Sequence, residues 1–275
     1  MRAPSLLLVT AAIAACAGAC ASSGGSSDGD DDDSAGDATS ADAAPLAPDA
    51  AAASDAADAA PIDAALGLPL PGFGALGGDC DVLDDELEDP APSLFESAIA
   101  FDRLYEDADL DSLTAGGQEI IRDGNAGGSS LLSEVFAFEL LARCERAPLL
   151  KTETEIVYDT AGTITDLLVS IDRQKIGVSV TRAVGFPFDD PYTVDQARDL
   201  LERKLADILE SSANVSAEDR WEKQILAVLA FAPEHAASIE AALDAIDPAV
   251  KADTIVWVLV TDGADDFIYC DGPCT

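Results

Sequence analysis

Between Arg2 and Arg103 the sequence has no lysine or arginine. The full chain of 275 residues holds 15 such residues against 53 aspartates and glutamates, a formal net charge of −38. From Ser93 onward 35 acids face 14 bases, a net of −21. Nucleic-acid affinity rests largely on neutralising phosphates, so nucleic acid is not an expected partner. Such a charge keeps a chain soluble and repels its own copies. There is one histidine, His235, and no Cys-x-x-Cys pair, so a zinc site lacks its donors. The part that can fold has no Gly-x-Ser-x-Gly elbow and no Walker loop, which removes the usual frames for serine hydrolysis and nucleotide triphosphate binding. No apolar run reaches the roughly 20 residues of a membrane-spanning helix.

What the N-terminus does have is an export pattern. Residues 1–21 read as a signal peptide: Arg2 is the positive end, Leu6 to Ala15 a short apolar core, and small residues follow. Ile13-Ala14-Ala15-Cys16 resembles the bacterial lipobox, and Cys20 after Ala17-Gly18-Ala19 is the alternative. The resemblance implies that the Cys16 thiol takes a diacylglycerol as a thioether. Several acyl chains then hold the protein stably to a membrane, where one chain is marginal. Ala17 stands where enteric inner-membrane lipoproteins carry a retaining aspartate, so the expected place is the outer membrane of the envelope. Residues 22–78 read as a disordered tether of Asp, Ala and Pro, with few large apolar residues and high charge. As a coil it spans roughly 40 Å. By composition it is similar to the tethers of myxobacterial lipoproteins.

The remaining residues, 79–275, are expected to form one globular domain. Cys80, Cys144, Cys270 and Cys274 are its disulfide candidates in an exported protein. Four cysteines allow three pairings; a clasp between Cys80 and the Cys270/Cys274 end is the favoured one. Ser93 to Glu96 fits a capping box before a helix with Leu94, Ala98, Phe101 and Tyr105 on one face. Asp107, Asp109 and Asp111 open a calcium-loop pattern that then fails, with Ser112 in the glycine position and Gln118 in the glutamate position. A second helix runs from Gly127–Ser130 to about Arg146. Strands are expected over 152–158, 163–171 and 176–184 as an antiparallel meander. Thr193 to Gln196 caps a helix with Ala197, Leu200, Leu201, Leu205 and Ile208 inward. Ser216 is read as the cap of a helix carrying Trp221, Ile225, Val228 and Leu229, which ends at Pro233. A further helix carries Ile239, Leu243 and Ile246. Thr254 to Thr261 reads as a buried strand, turned by Asp262-Gly263. The expected class is α/β (α+β): a central mixed four-stranded sheet with helices on both faces.

That order, over about 129–261, resembles the core of the PD-(D/E)xK nuclease superfamily, a restriction-endonuclease-like fold. Leu149-Leu150-Lys151-Thr152-Glu153-x-Glu155-Ile156, Thr165-Asp166 and Ile176 to Ala183 also resemble an uncharacterised family of slime-mould, fungal and bacterial proteins. The superfamily resemblance implies carboxylates converging on a divalent ion such as Mg2+, with a lysine near the attacking water. Glu134 matches its helix glutamate and Asp166 its strand acid, the two metal ligands that the resemblance implies. Ser179 and Thr181 stand where the third strand needs Glu and Lys. Lys204, from the following helix, is the substitute ammonium; Arg182 alternates to the opposite face of the strand from Thr181. A degenerate motif on an acidic domain makes the expected protein an envelope lipoprotein whose nuclease-like domain is a non-catalytic binding or structural module without a cofactor. The alternative is a divalent-metal-dependent phosphodiesterase or nuclease with a rearranged site.

Overall fold

The structure, a computed structural model, describes residues 68–126, 130–185, 187–188 and 190–270. The signal segment, Cys16, Cys20, most of the tether and Cys274 lie outside the described residues. In chain order the elements are β1 (Leu68–Leu70), β2 (Gly74–Gly78), β3 (Ser93–Phe101), α1 (Ala115–Asp123), α2 (Leu131–Cys144), β4 (Leu149–Thr152), β5 (Leu167–Ile171) and β6 (Gln174–Ala183). They continue as α3 (Val194–Asn214), β7 (Lys223–Ala230), α4 (Pro233–Ala245), α5 (Pro248–Lys251), β8 (Ile255–Gly263) and α6 (Asp266–Tyr269). Among these residues no helix is long and apolar enough to cross a membrane.

The strands form one mixed sheet in the order β1-β2-β3-β8-β7-β6-β5-β4. The four middle strands, β3, β8, β7 and β6, are parallel, and an antiparallel pair extends the sheet at each edge. Every residue of β7 and the first seven of β8 are buried, as expected for parallel strands covered on both faces. One layer sets Phe136, Phe138 and Leu141 of α2 on Val178, Ile225 and Trp257. The opposite layer sets Leu201, Leu205 and Ile239 of α3 and α4 on Leu226, Val228 and Val258. Trp257 keeps its indole N–H satisfied inside the core by donating to Ser97 Oγ at 2.8 Å. At the end of β8, Gly263 has φ +85°, and a Cβ there would lie 2.2 Å from the Phe101 carbonyl oxygen. Only glycine fits that turn.

The sheet has eight strands where four are expected, because three segments differ from the sequence reading. Ser93–Phe101 is a strand rather than a helix: Ser97, Ile99 and Phe101 alternate into the core, and β8 pairs with it along its length. Lys223–Ala230 is likewise a strand, held between β6 and β8. β1 and β2 add a hairpin from residues assigned to the tether, so the folded unit starts at or before residue 68 rather than at 79. The strand expected over 152–158 is β4 and stops at Thr152, where Glu155 N–H turns back to the Thr152 carbonyl at 3.0 Å. α1 was not anticipated. The mixed sheet flanked by helices and the α3 capping box at Thr193 are as expected, and Pro233 opens α4 at its first turn.

The disulfide joins Cys80 to Cys144, not to the C-terminal end. Glu145, the next residue, accepts the Val82 and Leu83 N–H groups at 3.1 and 3.3 Å. Together they pin the segment between β2 and β3 to the end of α2. Cys270 is disulfide-bonded as well.

Candidate functional site

β5 leaves the sheet before β6 does. Their ladder runs from Ile171 opposite Gln174 to Leu167 opposite Val178. β6 continues to Ala183 alongside β7. On the vacated side the Val180 N–H donates to Asp166 Oδ2 at 2.6 Å, so a carboxylate satisfies the amide that lost its strand partner. Asp166 therefore sits at a gap between β5 and β6. Val178 and Val180 point into the layer beneath α2 and Ala183 into the opposite one. By alternation Ser179 and Thr181 share the α3 side. Ser179 is buried and Thr181 half-buried.

Glu134 reaches this gap from the first turn of α2 and is only 2% exposed. Its Oε1 accepts Ser130 Oγ–H at 2.8 Å and Asn125 Nδ2–H at 3.1 Å. Burial raises its pKa; these hydrogen bonds and Lys204 oppose the rise, and the Glu153 charge adds to it. Asp166 keeps part of its surface open to solvent, yet dense surroundings count for more than that opening. Burial first, and then the Glu134 charge, push its carboxyl up to about 7, against the pull of the Val180 N–H and Lys204; Glu153 again adds to the rise. Glu134, Glu153, Asp166 and Lys204 thus act on one another electrostatically, although they come from α2, the turn after β4, the start of β5 and α3.

The structure accordingly sets Glu134 and Lys204 within electrostatic range of Asp166, with Ser179 and Thr181 on the adjoining strand. Glu153 and Asn125 are the site residues that sequence reasoning missed. Glu153 looked like one tooth of a solvated strand; the chain has already turned at Thr152, and Glu153 Oε2 accepts the Ala126 N–H at 2.6 Å. Adjacent residues, Asn125 and Ala126, therefore hold one acid each. Among the described residues, the one trio of acids with oxygens all within 4.8 Å of each other is Glu119, Asp123 and Glu155, which are exposed. The gap acids are spaced more widely.

Other candidates resolve as structural. Asp109 is clamped by Arg103, whose guanidinium holds its carboxyl down at about 2, helped by the Glu106 N–H. It lies in a 3-10 turn rather than a calcium loop. His235 is buried in α4 with Nδ1 at 3.0 Å from the Ala183 carbonyl. Arg182 donates to the Ile268 carbonyl at 3.1 Å, away from the gap. Trp221 and Trp257 are core. Ser216 caps a turn, its Oγ accepting the Asp219 N–H at 3.4 Å, and not a helix.

No family model matches the chain. It is 45% identical over 122 residues to the AAC-rich mRNA clone AAC4 protein of Dictyostelium discoideum, a match that covers 42% of this chain. It spans only 18% of that protein's length. Among solved structures it is similar to Pyrococcus furiosus SfsA in complex with Ca2+, at 13% identity and a TM-score of 0.25, over 47% of this chain and 55% of that one. A likeness that slight does not bear on the fold, and the Dictyostelium match is one of sequence over less than half of the chain.

Proposed function

We propose that this is an exported, lipid-anchored envelope protein whose folded unit is a nuclease-like domain with a divalent-cation-dependent phosphodiesterase site. The observation that carries the reading is the Asp166 carboxylate set at the open edge of β6, on the Val180 N–H, within electrostatic range of Glu134 and Lys204. Scattered side chains would have left only the non-catalytic module. The envelope part rests on the lipobox-like Cys16, with Cys20 as the alternative, and on the acidic tether.

The donor set suits a hard cation: carboxylates, with no thiolate or imidazole. Burial raises the pKa of both Glu134 and Asp166, and the Glu134 charge raises Asp166 further, a repulsion that a cation relieves. Glu153 adds a third negative charge near the two acids, where β6 has none, without forming a close trio with them. Magnesium or manganese held there would acidify a water and offset charge developing on the phosphate. The chain's own residues do the rest. Lys204 supplies the fixed positive charge, Ser179 and Thr181 offer neutral hydroxyl donors to a phosphoryl oxygen, and Asn125 and Ser130 fix the Glu134 rotamer. In the hydrolysis, water adds to phosphorus, one phosphorus–oxygen ester bond breaks, and the leaving alcohol takes up a proton.

The second reading, a binding module without catalysis, is favoured by one feature: Ser179 and Thr181 occupy the strand positions where the superfamily needs charge. Hydrolysis of bis(4-nitrophenyl) phosphate with manganese decides between them. Wild-type turnover should vanish with chelator and fall about 100-fold or more in Asp166→Ala and Lys204→Ala, with both variants still cooperatively folded at the assay temperature. A folded, manganese-supplied wild type without turnover supports the binding module.

A further inference from the structure

Two chain segments that serve the gap, at Asn125–Ala126 and Glu153, also carry an exposed acidic trio, which we take as its rim. Asp123 ends α1 two residues before Asn125, which donates to Glu134. Glu155 lies two residues after Glu153. Thr152 ties the pair together: its Oγ1 donates to Asp123 Oδ2 at 3.2 Å, and its N–H donates to Glu155 Oε2 at 3.1 Å. Glu119, one turn back on α1, completes the exposed trio with oxygens within 4.8 Å. Two residues of chain span at most about 7 Å, comparable to the screening length of about 8 Å at physiological ionic strength. Three exposed negative charges therefore stand on the segments that hold Glu134 and Glu153, while Lys204 is the cation that acts on both Glu134 and Asp166.

A strand of nucleic acid that reached the gap would lay its flanking phosphates against this rim. Proteins that bind such strands line the path with lysine and arginine. Here the path carries Glu119, Asp123 and Glu155 on a domain with 35 acids and 14 bases from Ser93 onward. A small diester with one negative charge presents no flanking phosphates and meets only the gap. We infer that the site takes short, singly charged phosphodiesters, and that the Glu119–Asp123–Glu155 rim excludes nucleic-acid strands. The inference rests on the phosphodiesterase reading and deepens it by naming the substrate class. Each turnover consumes one diester and one water and yields a monoester and an alcohol.

The test compares a thymidine dinucleotide with its homologue of about 20 nucleotides, using the full chain and manganese. Activity per linkage, as kcat/KM, should be at least about tenfold higher on the dinucleotide at low salt. For the long strand, KM should fall as salt rises, because salt screens the rim; ordinary strand binders show the opposite slope. Glu119→Gln with Asp123→Asn and Glu155→Gln should narrow the length preference and flatten the salt response, leaving dinucleotide turnover unchanged. These substitutions keep an acceptor for Thr152. Glu119→Gln alone, at a side chain without hydrogen-bond duties to Thr152, should move both readouts part of the way if the triple variant does not fold. Faster cleavage per linkage of the long strand, or a KM that rises with salt, overturns the inference and leaves the phosphodiesterase reading standing. A wild type that cleaves neither substrate nor bis(4-nitrophenyl) phosphate overturns both.

Discussion

Glu139→Ala should lower the unfolding free energy by about 3–5 kcal/mol, the range for breaking a buried ion pair from one side. Glu139 is fully buried in the middle of α2. Its Oε1 accepts the Thr114 N–H at 2.8 Å and the Thr114 hydroxyl at 2.7 Å. Its Oε2 accepts Arg143 Nε–H at 2.8 Å, with the Arg143 Nη2 at 2.6 Å. Thr114 in turn caps α1, its Oγ1 accepting the Gly117 N–H at 3.2 Å. α1 approaches so closely that a Cβ on Gly117 would sit 2.3 Å from Glu139 Oε1. Alanine therefore strips the helix cap of its support and takes a carboxylate from a mostly buried arginine. Glu139→Gln keeps an acceptor and should lose roughly half as much. Urea unfolding of the three proteins measures this. A loss below about 1 kcal/mol for alanine would mean that the pair is dispensable.

Asp166→Asn should make the protein more stable than wild type at about pH 8, by roughly 2 kcal/mol out of a ceiling of 1.36 kcal/mol per unit of pKa change. The ceiling is discounted because Asp166 keeps some contact with solvent. The sign follows from proton counts. Asp166 titrates at about 7 in the fold against 3.8 unfolded, so between those values the folded state binds more protons. Wild-type stability from this group is then full below about pH 4 and is lost as pH rises through 7. Asparagine does not titrate and retains an oxygen for the Val180 N–H, so its advantage should appear above neutrality and disappear in acid. Urea unfolding at several pH values reads the difference. Equal stability at about pH 8 would mean that Asp166 is ionised at no cost.

The sequence was legible where local signals sufficed. Thr193 and Gln196 announce the start of α3, and Ala197, Leu201 and Leu205 follow the helical period to the core. Asp172 and Arg173, both at positive φ, make the tight turn expected between β5 and β6. Strands held by distant partners were not legible. Ser93 and Glu96 spell a capping box, yet β3 is fixed by β8, about 160 residues later in the chain. Leu226-Ala227-Val228-Leu229-Ala230 has helix-forming letters, but it is apolar on every side and fills the slot between β6 and β8. α1 is short and contains Gly116 and Gly117, poor helix formers, and it depends on Glu139 for its cap. In the candidate site, Glu134 and Asp166 are legible through the superfamily resemblance, and Lys204 as the substitute ammonium on the following helix. Glu153 was hidden by a turn that its alternating neighbours conceal, and no spacing rule selects Cys144 over Cys270 as the partner of Cys80.

Manganese titration by calorimetry, in two buffers of different ionisation heat at about pH 7, bears most directly on the site. If Glu134 and Asp166 form one cation site, a single binding event should appear, release a fraction of a proton as Asp166 ionises, and vanish in Asp166→Ala. No saturable heat from the folded wild type, or binding that survives unchanged in that variant, would contradict it.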